Sequence, residues 1–498
     1  MLEQFEVWFV TGAQLLYGGD AVVAVDGHSN EMVSGLNASG NLPVKLVYKG
    51  TVNSAKEVTA IMKAANSDEK CIGIITWMHT FSPAKMWIHG LQEFRKPLMH
   101  FHTQFNKEIP WSDIDMDFMN LNQSAHGDRE FGHITARMRR PRKVVVGHWQ
   151  DVKAQERIAV WMRVAAAWAD AQDMRIVRFG DQMNNVAVTD GDKVTAEMQM
   201  GYHVDYFPIA DLVAVQDTVT AAEVADLVKV YESEYDFAAN CKAGGQYRAQ
   251  VEHAARIEIA LRRFLKEKGA KAFTTNFDDL AAIDQLPGLA SQRLMAEGYG
   301  FGAEGDWKTA ALYRSMWVMG YGLPKGCSFL EDYTLHFDGE KSAILQAHML
   351  EVCPLIAAQK PRMEVHPLGI GGKNDPARLV FTSKPGQGVA ATVVDMGGRF
   401  RMIVNVVDCI ESKPLPKLPV ASALWIPQPN FEVGAAAWIL AGGTHHTSFS
   451  YDLTSEYLED FAEMAGIEFL LIDNKTTISE FKKELRFNDV YYHLNRGF

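Results

Sequence analysis

Apolar runs and amphipathic stretches alternate through the first third of the chain. Residues 5–10, 71–77, 97–101 and 143–147 are short and rich in apolar side chains, the pattern of strands buried on both faces. Between them, residues 54–65 (SAKEVTAIMKAA) repeat apolar positions at helical spacing behind a capping serine. Residues 156–171 form a longer helical pattern ahead of a further strand at 175–179. Strand, loop, helix, strand predicts a parallel α/β sheet, which binds ligands at loops beyond the carboxyl ends of its strands. Residues 12–18 and 79–83 occupy such loops. The middle third carries helical stripes at 221–234, 247–267 and 288–296 and a strand-like AFTTNF at 272–277, a second α/β unit. The last third changes period. Short β runs at 378–382, 389–394 and 400–407 are joined by KPGQG and MGG, which read as turns, and helices are expected at 455–465 and 478–485. The fold class is therefore α/β: two α/β domains with parallel sheets (1–175 and 176–326), then a mostly antiparallel β-rich domain (327–498). Neither an internal repeat nor a low-complexity tract interrupts this order.

Composition adds mainly exclusions. At 498 residues, 47% hydrophobic and 22% charged, the chain has globular composition and is too long for one core. A net charge of −12 disfavours nucleic acid, whose phosphates need cationic neutralisation, and equally an anionic membrane. The one basic cluster, Arg137, Arg139, Arg140, Arg142 and Lys143, is expected to be a solvated helix end. No window approaches the roughly 18 apolar residues of a membrane span. The opening MLEQFEVWFVTG puts acids ahead of a short apolar run, unlike a secretory leader. Five scattered cysteines without a CxxC pair suggest reduced thiols, and the cytoplasm is the expected location.

Candidate chemistry gathers where histidines and glutamates adjoin glycines. His445 and His446 sit in AGGTHHTSFS, where glycines permit close backbone approach and imidazole is a common metal ligand. Glu304 lies in GFGAEGDWK, and Glu331 in the apolar stretch CSFLEDYTLHF. A buried carboxylate there needs a partner, a metal or an arginine. A helix cap or a surface ion pair would serve either glutamate as well. His348 is followed by Glu351, on the same face if the segment is helical, and the two could simply share a local hydrogen bond. Two glutamate oxygens and two imidazole nitrogens would suit Mn²⁺, Fe²⁺, Co²⁺ or Zn²⁺ better than Ca²⁺. Neither a Walker motif nor a GxSxG elbow is present, and GIGGK at 369–373 has no helix behind it.

These residues stand in longer blocks: EVWFVTGAQLLYG (6–18), WMHTFSPAKMWI (77–88), HTQFN (102–106) and IDMDFMNLNQSAHGDREFG (114–132). RFGDQMNNVAVTDGDKV (178–194), EGDWKTAAL (304–312), EDYTLHF (331–337), HMLEVCP (348–354), GIGGKNDPARL (369–379) and AGGTHHT (441–447) follow in order. In these blocks the chain resembles the L-arabinose isomerase family from end to end. The resemblance implies one divalent metal per site, Mn²⁺ first with Co²⁺ or Fe²⁺ as alternatives, held by Glu304, Glu331, His348 and His446. Glu304 and Glu331 would also be the acid/base pair. Sugar contacts would fall on Gln14, Leu16, Tyr17, Phe81, Gln123, His126, Met183, Phe277, Tyr333, Ile370 and His445. It further implies homohexamers built from trimers, with sites at subunit interfaces, and conversion of L-arabinose to L-ribulose through a cis-enediol. A metal-dependent hydrolase or aldolase on the same ligands, and a non-catalytic sugar-binding protein, are the rival readings.

Overall fold

The computed structural model describes residues 1–369 and 372–494. Its contacts divide the chain into two compact units, Met1–Ala169 with Glu459–Met464, and Asp170–Leu458 with Ala465–Phe498.

The first unit is built on β1 (Glu6–Gly12), β2 (Lys45–Val52), β3 (Cys71–Met78), β4 (Leu98–His102) and β5 (Lys143–Val146). All pair in parallel, in the order β2-β1-β3-β4-β5. β3 is buried along its whole length, which explains its unbroken apolar run. The helix Ala55–Ser67 starts where expected because the Ser54 side chain accepts the Glu57 N–H. Strand order reverses between β1 and β3, so the loops leaving these two strands diverge and open a crevice. Those loops hold Gln14 to Tyr17 and Phe81.

Beneath the second loop, His79 is fully buried against Trp77, its ring stacked at 4.4 Å. Its Nε2 lies 2.8 Å from His28 Nδ1 on the helix Gly19–Ala38. Burial, and then the neighbouring His28, push the His79 imidazole down to about 3. An unfolded imidazole titrates near 6.5. Below that pH the unfolded chain binds a proton that the folded one refuses, so stability falls as pH drops from about 6.5 toward 3. The loss approaches about 1.4 kcal/mol per pH unit for this group. Urea midpoints between pH 7 and 4.5 should drop more steeply for the wild type than for His79→Leu. Parallel acid limbs would remove His79 as the cause.

The second unit begins with β6 (Met174–Phe179), β7 (Tyr202–Phe207), β9 (Ala272–Thr275) and β10 (Gly300–Gly302), a parallel sheet in the order β10-β9-β6-β7. The expected strand 272–277 stops at Thr275, because Asn276 caps a short 3-10 turn at Phe277–Asp279. A small sheet joins β8 (Asp236–Phe237) to β13 (Arg362–Val365) and β14 (Ala377–Val380).

The β-rich part of this unit contains β11 (Cys327–His336), β12 (Ala343–Ala347), β15 (Gly386–Asp395), β16 (Phe400–Ile410), β17 (Ser422–Pro427) and β18 (His446–Ser450). They pair antiparallel in the order β15-β18-β11-β12-β17-β16. A further β15–β16 pairing closes the ring into a six-stranded barrel. β19 (Glu468–Ile472) adds in parallel to β16. The α/β class with a β-rich C-terminal part is thus borne out. KPGQG is not a turn: Gly386 and Gly388 belong to β15, and the true turn of that hairpin is the MGG segment. The last helix runs over Ile478–Leu494, longer than its apolar stripe suggested.

Candidate active site

In the second unit the loops after β6, β9 and β10 emerge at the carboxyl ends of their strands and carry Met183, Phe277 and Glu304. Glu304 adopts φ +60°, a left-handed conformation costly for a side chain bearing a Cβ. Gly305 follows at φ +81°, and a Cβ there would sit 2.4 Å from Gln182 Cα. This tight turn aims the Glu304 carboxylate inward, and its carbonyl accepts the Met183 N–H at 3.0 Å.

The barrel supplies the other half. Glu331 on β11 is the register partner of His446 on β18 and of Ala347 on β12, and His348 follows directly. Cross-strand partners hold their Cβ atoms about 5 Å apart. Closure of the ring therefore sets Glu331, His348 and His446 at one level. The Glu331 Oε2 to His348 Nε2 distance is 3.6 Å, and the two imidazole rings lie 6.1 Å apart, each edge-on to Phe329. His445 Nε2 approaches Glu304 Oε2 to 3.4 Å, and His446 Nε2 approaches it to 3.9 Å. The His445 hydrogen bond holds Glu304 below the usual carboxylate range, against the upward push of burial.

Each buried imidazole is backed by a carboxylate. His446 Nδ1 meets Asp306 Oδ2 at 3.1 Å, and His348 Nδ1 meets Glu351 Oε2 at 2.5 Å. A carboxylate on Nδ1 fixes the proton there and leaves the Nε2 lone pair free. Asp306 is fully buried and opposed by Lys308 and Thr309 as well as His446; despite burial these keep its carboxyl well below the usual range. Burial lowers the His348 imidazole, but Glu351, Glu331 and Glu304 outweigh it and raise it. His446 Nε2 is buried with no hydrogen-bond partner. A buried, unpartnered lone pair beside carboxylates fits a divalent cation, and oxygen and nitrogen donors without thiolate suit Mn²⁺, Fe²⁺ or Co²⁺.

The ligand sets overlap without coinciding. Among the described residues, Glu304, His445 and His446 have donor atoms all within 4.8 Å of one another. Glu331 and His348 form the adjoining pair. Among the described residues no carboxylate stands behind His445, which is partly exposed, whereas His348 and His446 are sealed.

Phe277 lies parallel to His348 at 6.4 Å. Tyr333 stays at the rim, its phenol raised first by burial and then by Glu331, Glu351 and Glu304. In the first unit, Phe81 stacks on His126 at 4.4 Å, and the Gln123 N–H donates to the His79 carbonyl at 3.0 Å. Gln14 Nε2 is buried without a partner, and Leu16 is 80% exposed. The Tyr17 side chain and Ile370 lie outside the described residues.

Sequence reasoning missed Asp306. It caps the helix Trp307–Met319 by accepting the Thr309 N–H, which is its visible role in EGDWK. Its contact with His446 spans 140 residues and leaves no local signal. The His348–Glu351 contact is real, but it forms in the loop after β12 and not on a helix.

Two parallel α/β sheets, a closed barrel and a sealed imidazole–carboxylate cluster define a multidomain α/β enzyme. Models of the N-terminal, central and C-terminal domains of L-arabinose isomerase match residues 1–173, 175–322 and 326–468. The chain belongs to the L-arabinose isomerase family. It is 72% identical to an L-arabinose isomerase of Phocaeicola vulgatus over 99% of both chains. It is 71% identical to one from Bacteroides thetaiotaomicron, over 100% of this chain and 99% of that one. A relative of the same name from Herpetosiphon aurantiacus is 57% identical, over 100% and 99%.

Proposed function

We propose that the protein interconverts L-arabinose and L-ribulose, and also D-galactose and D-tagatose, with one divalent cation per site. Mn²⁺ is the first choice, with Co²⁺ or Fe²⁺ as substitutes. The observation that carries this reading is the cluster of Glu304, Glu331, His348 and His446, in which two imidazoles are held by Asp306 and Glu351 with their Nε2 atoms turned to two carboxylates. Glu304, Glu331, His348 and His446 would hold the ion. When bound, the cation polarises the sugar carbonyl and acidifies the adjacent C–H.

The chain's own groups move the protons. One of Glu304 and Glu331 takes the C2 proton, the other shuttles the hydroxyl proton between O1 and O2, and reprotonation of the cis-enediol at C1 gives the ketose. Met183, Phe277, Tyr333, Ile370 and His445 orient the sugar from the chain that holds the ion. Gln14, Leu16, Tyr17, Phe81, Gln123 and His126 complete the contacts in a homohexamer built from trimers, with sites at subunit interfaces. Exposed Leu335 and Ile439, which line one apolar hollow of the second unit, support association. No helix among the described residues is long and apolar enough to cross a membrane, and the five cysteines are free thiols. Both agree with a cytoplasmic location.

Prolonged turnover of L-arabinose in D₂O should place deuterium at C1 of L-ribulose and C2 of recovered aldose, because a carboxylic acid exchanges its proton with solvent. Product free of label after many turnovers would mean a hydride shift, leaving Glu304 and Glu331 as ligands only.

A further inference from the structure

The basic run ahead of β5 is not the solvated helix end its sequence suggests. Arg137 and Arg139 are exposed, but Arg140 and Arg142 are half-buried and Lys143 is buried. With Arg95 and Lys96 from the turn before β4, the last three line a cavity of about 110 Å³. Trp161 and Trp168 form part of its wall, as do Asp460 and Glu463 from the turn that packs with this unit.

Some of this positive charge is already matched. Lys143 pairs with Asp460, and Lys96 Nζ donates to the carbonyls of Asp68 and Cys71, each at 2.6 Å. Glu463 Oε1 accepts the Arg142 backbone N–H at 3.3 Å. The guanidiniums are not matched. Arg142 hydrogen-bonds only to the carbonyls of Arg140 and Gly132, at 3.3 and 3.4 Å, and Arg140 only to that of Lys96, at 3.3 Å, with its guanidinium 5.6 Å from the Phe94 ring centroid. Among the described residues no carboxylate forms a salt bridge with Arg95, Arg140 or Arg142. The Nε–H groups of Arg140 and Arg142 are buried without an acceptor. So is the indole N–H of Trp161, a residue with no exposed surface. Native structures seldom leave such donors unmatched.

We propose that this cavity binds a phosphate group, held by the Arg95 and Arg140 guanidiniums and completed by the Trp161 indole N–H. Planar guanidiniums present paired N–H groups that match the oxygens of a phosphate. The cavity has room for several water-sized groups, at roughly 10–15 Å³ each on this measure, enough for the phosphate itself. Any organic remainder of a monoester would leave past exposed Arg95. Arg95 bears on Arg140 as a like charge, whereas the wall carboxylate Glu463 bears on Arg142. Burial, and then Arg95, lower the affinity of Arg140 for its proton, and an anion between the two would reverse both effects.

Calorimetric titration of the full-length protein at fixed ionic strength, with inorganic phosphate and separately with a pentose 5-phosphate, tests this. Saturable binding at one site per chain is expected, weakened at least tenfold by Arg95→Gln and by Arg140→Gln. Arg95 is exposed, so its variant keeps the test alive should Arg140→Gln fail to fold. Tighter binding of the ester identifies an organophosphate as the occupant, and equal binding identifies the free ion. No saturable heat from either, or undiminished binding in the variants, overturns the site.

Discussion

Glu331→Gln and Glu304→Gln should each lower kcat by at least about 10²–10⁴-fold at saturating Mn²⁺, the contribution of one positioned proton transfer. The amide keeps shape and hydrogen bonding but neither accepts the C2 proton nor carries charge. Glu304 should be the harsher site to alter in any other way. Its left-handed backbone is held by Gly305 and by the Met183 N–H, so a new side chain inherits the strain without the carboxylate. Steady-state rates over a range of Mn²⁺ concentrations separate the two roles. Full rescue by excess metal would show that the lost charge only recruits the ion, and a loss under tenfold for either variant would remove it from the acid/base pair.

The second large effect concerns which imidazole of the adjacent pair serves the cation. His446→Ala should abolish Mn²⁺ binding measured by calorimetry, whereas His445→Ala should bind Mn²⁺ within a few-fold of wild type yet turn over poorly. The reason lies behind the rings. Asp306 pins the His446 proton on Nδ1 and leaves a buried, unpartnered Nε2, while His445 leans on Glu304 with no carboxylate of its own. Asp306→Asn should weaken Mn²⁺ by about 10–100-fold, the usual cost of losing a group that orients a ligand. If His445→Ala loses the metal and His446→Ala keeps it, His445 is the ligand and the assignment within the pair is wrong.

The sequence was most informative where local rules decide structure. The helices Ala221–Glu234, Gly288–Ala296 and Ser455–Ala465 begin and end where their periodicity predicts, the first behind a complete capping box at Thr220 and Glu223. Loops after strands could be marked because a parallel sheet dictates where its carboxyl ends open. The failures are non-local. Gly386 and Gly388 look like turn residues, yet a Cβ on Gly388 would meet Phe449, so glycine there serves close packing against β18 inside a strand. The basic run before β5 looked solvated because the acids that line its cavity, Asp460 and Glu463, lie more than 300 residues away. Glu331 could be seen to need a partner, but pairing it with His348 requires knowing that β12 returns beside β11.

A closed six-stranded ring has no free edge along which a strand can slide, and a one-residue slip would turn every side chain of that strand to the opposite face. The residues proposed to hold the cation on β11, just after β12 and on β18 are therefore inherited together or lost together. The loops after β6 and β9, with Met183 and Phe277, lie outside the ring's register and can vary in shape so long as the Met183 N–H still holds the Glu304 carbonyl. Selection for a different sugar has one inexpensive direction open to it: rewrite those two loops and leave the ring alone.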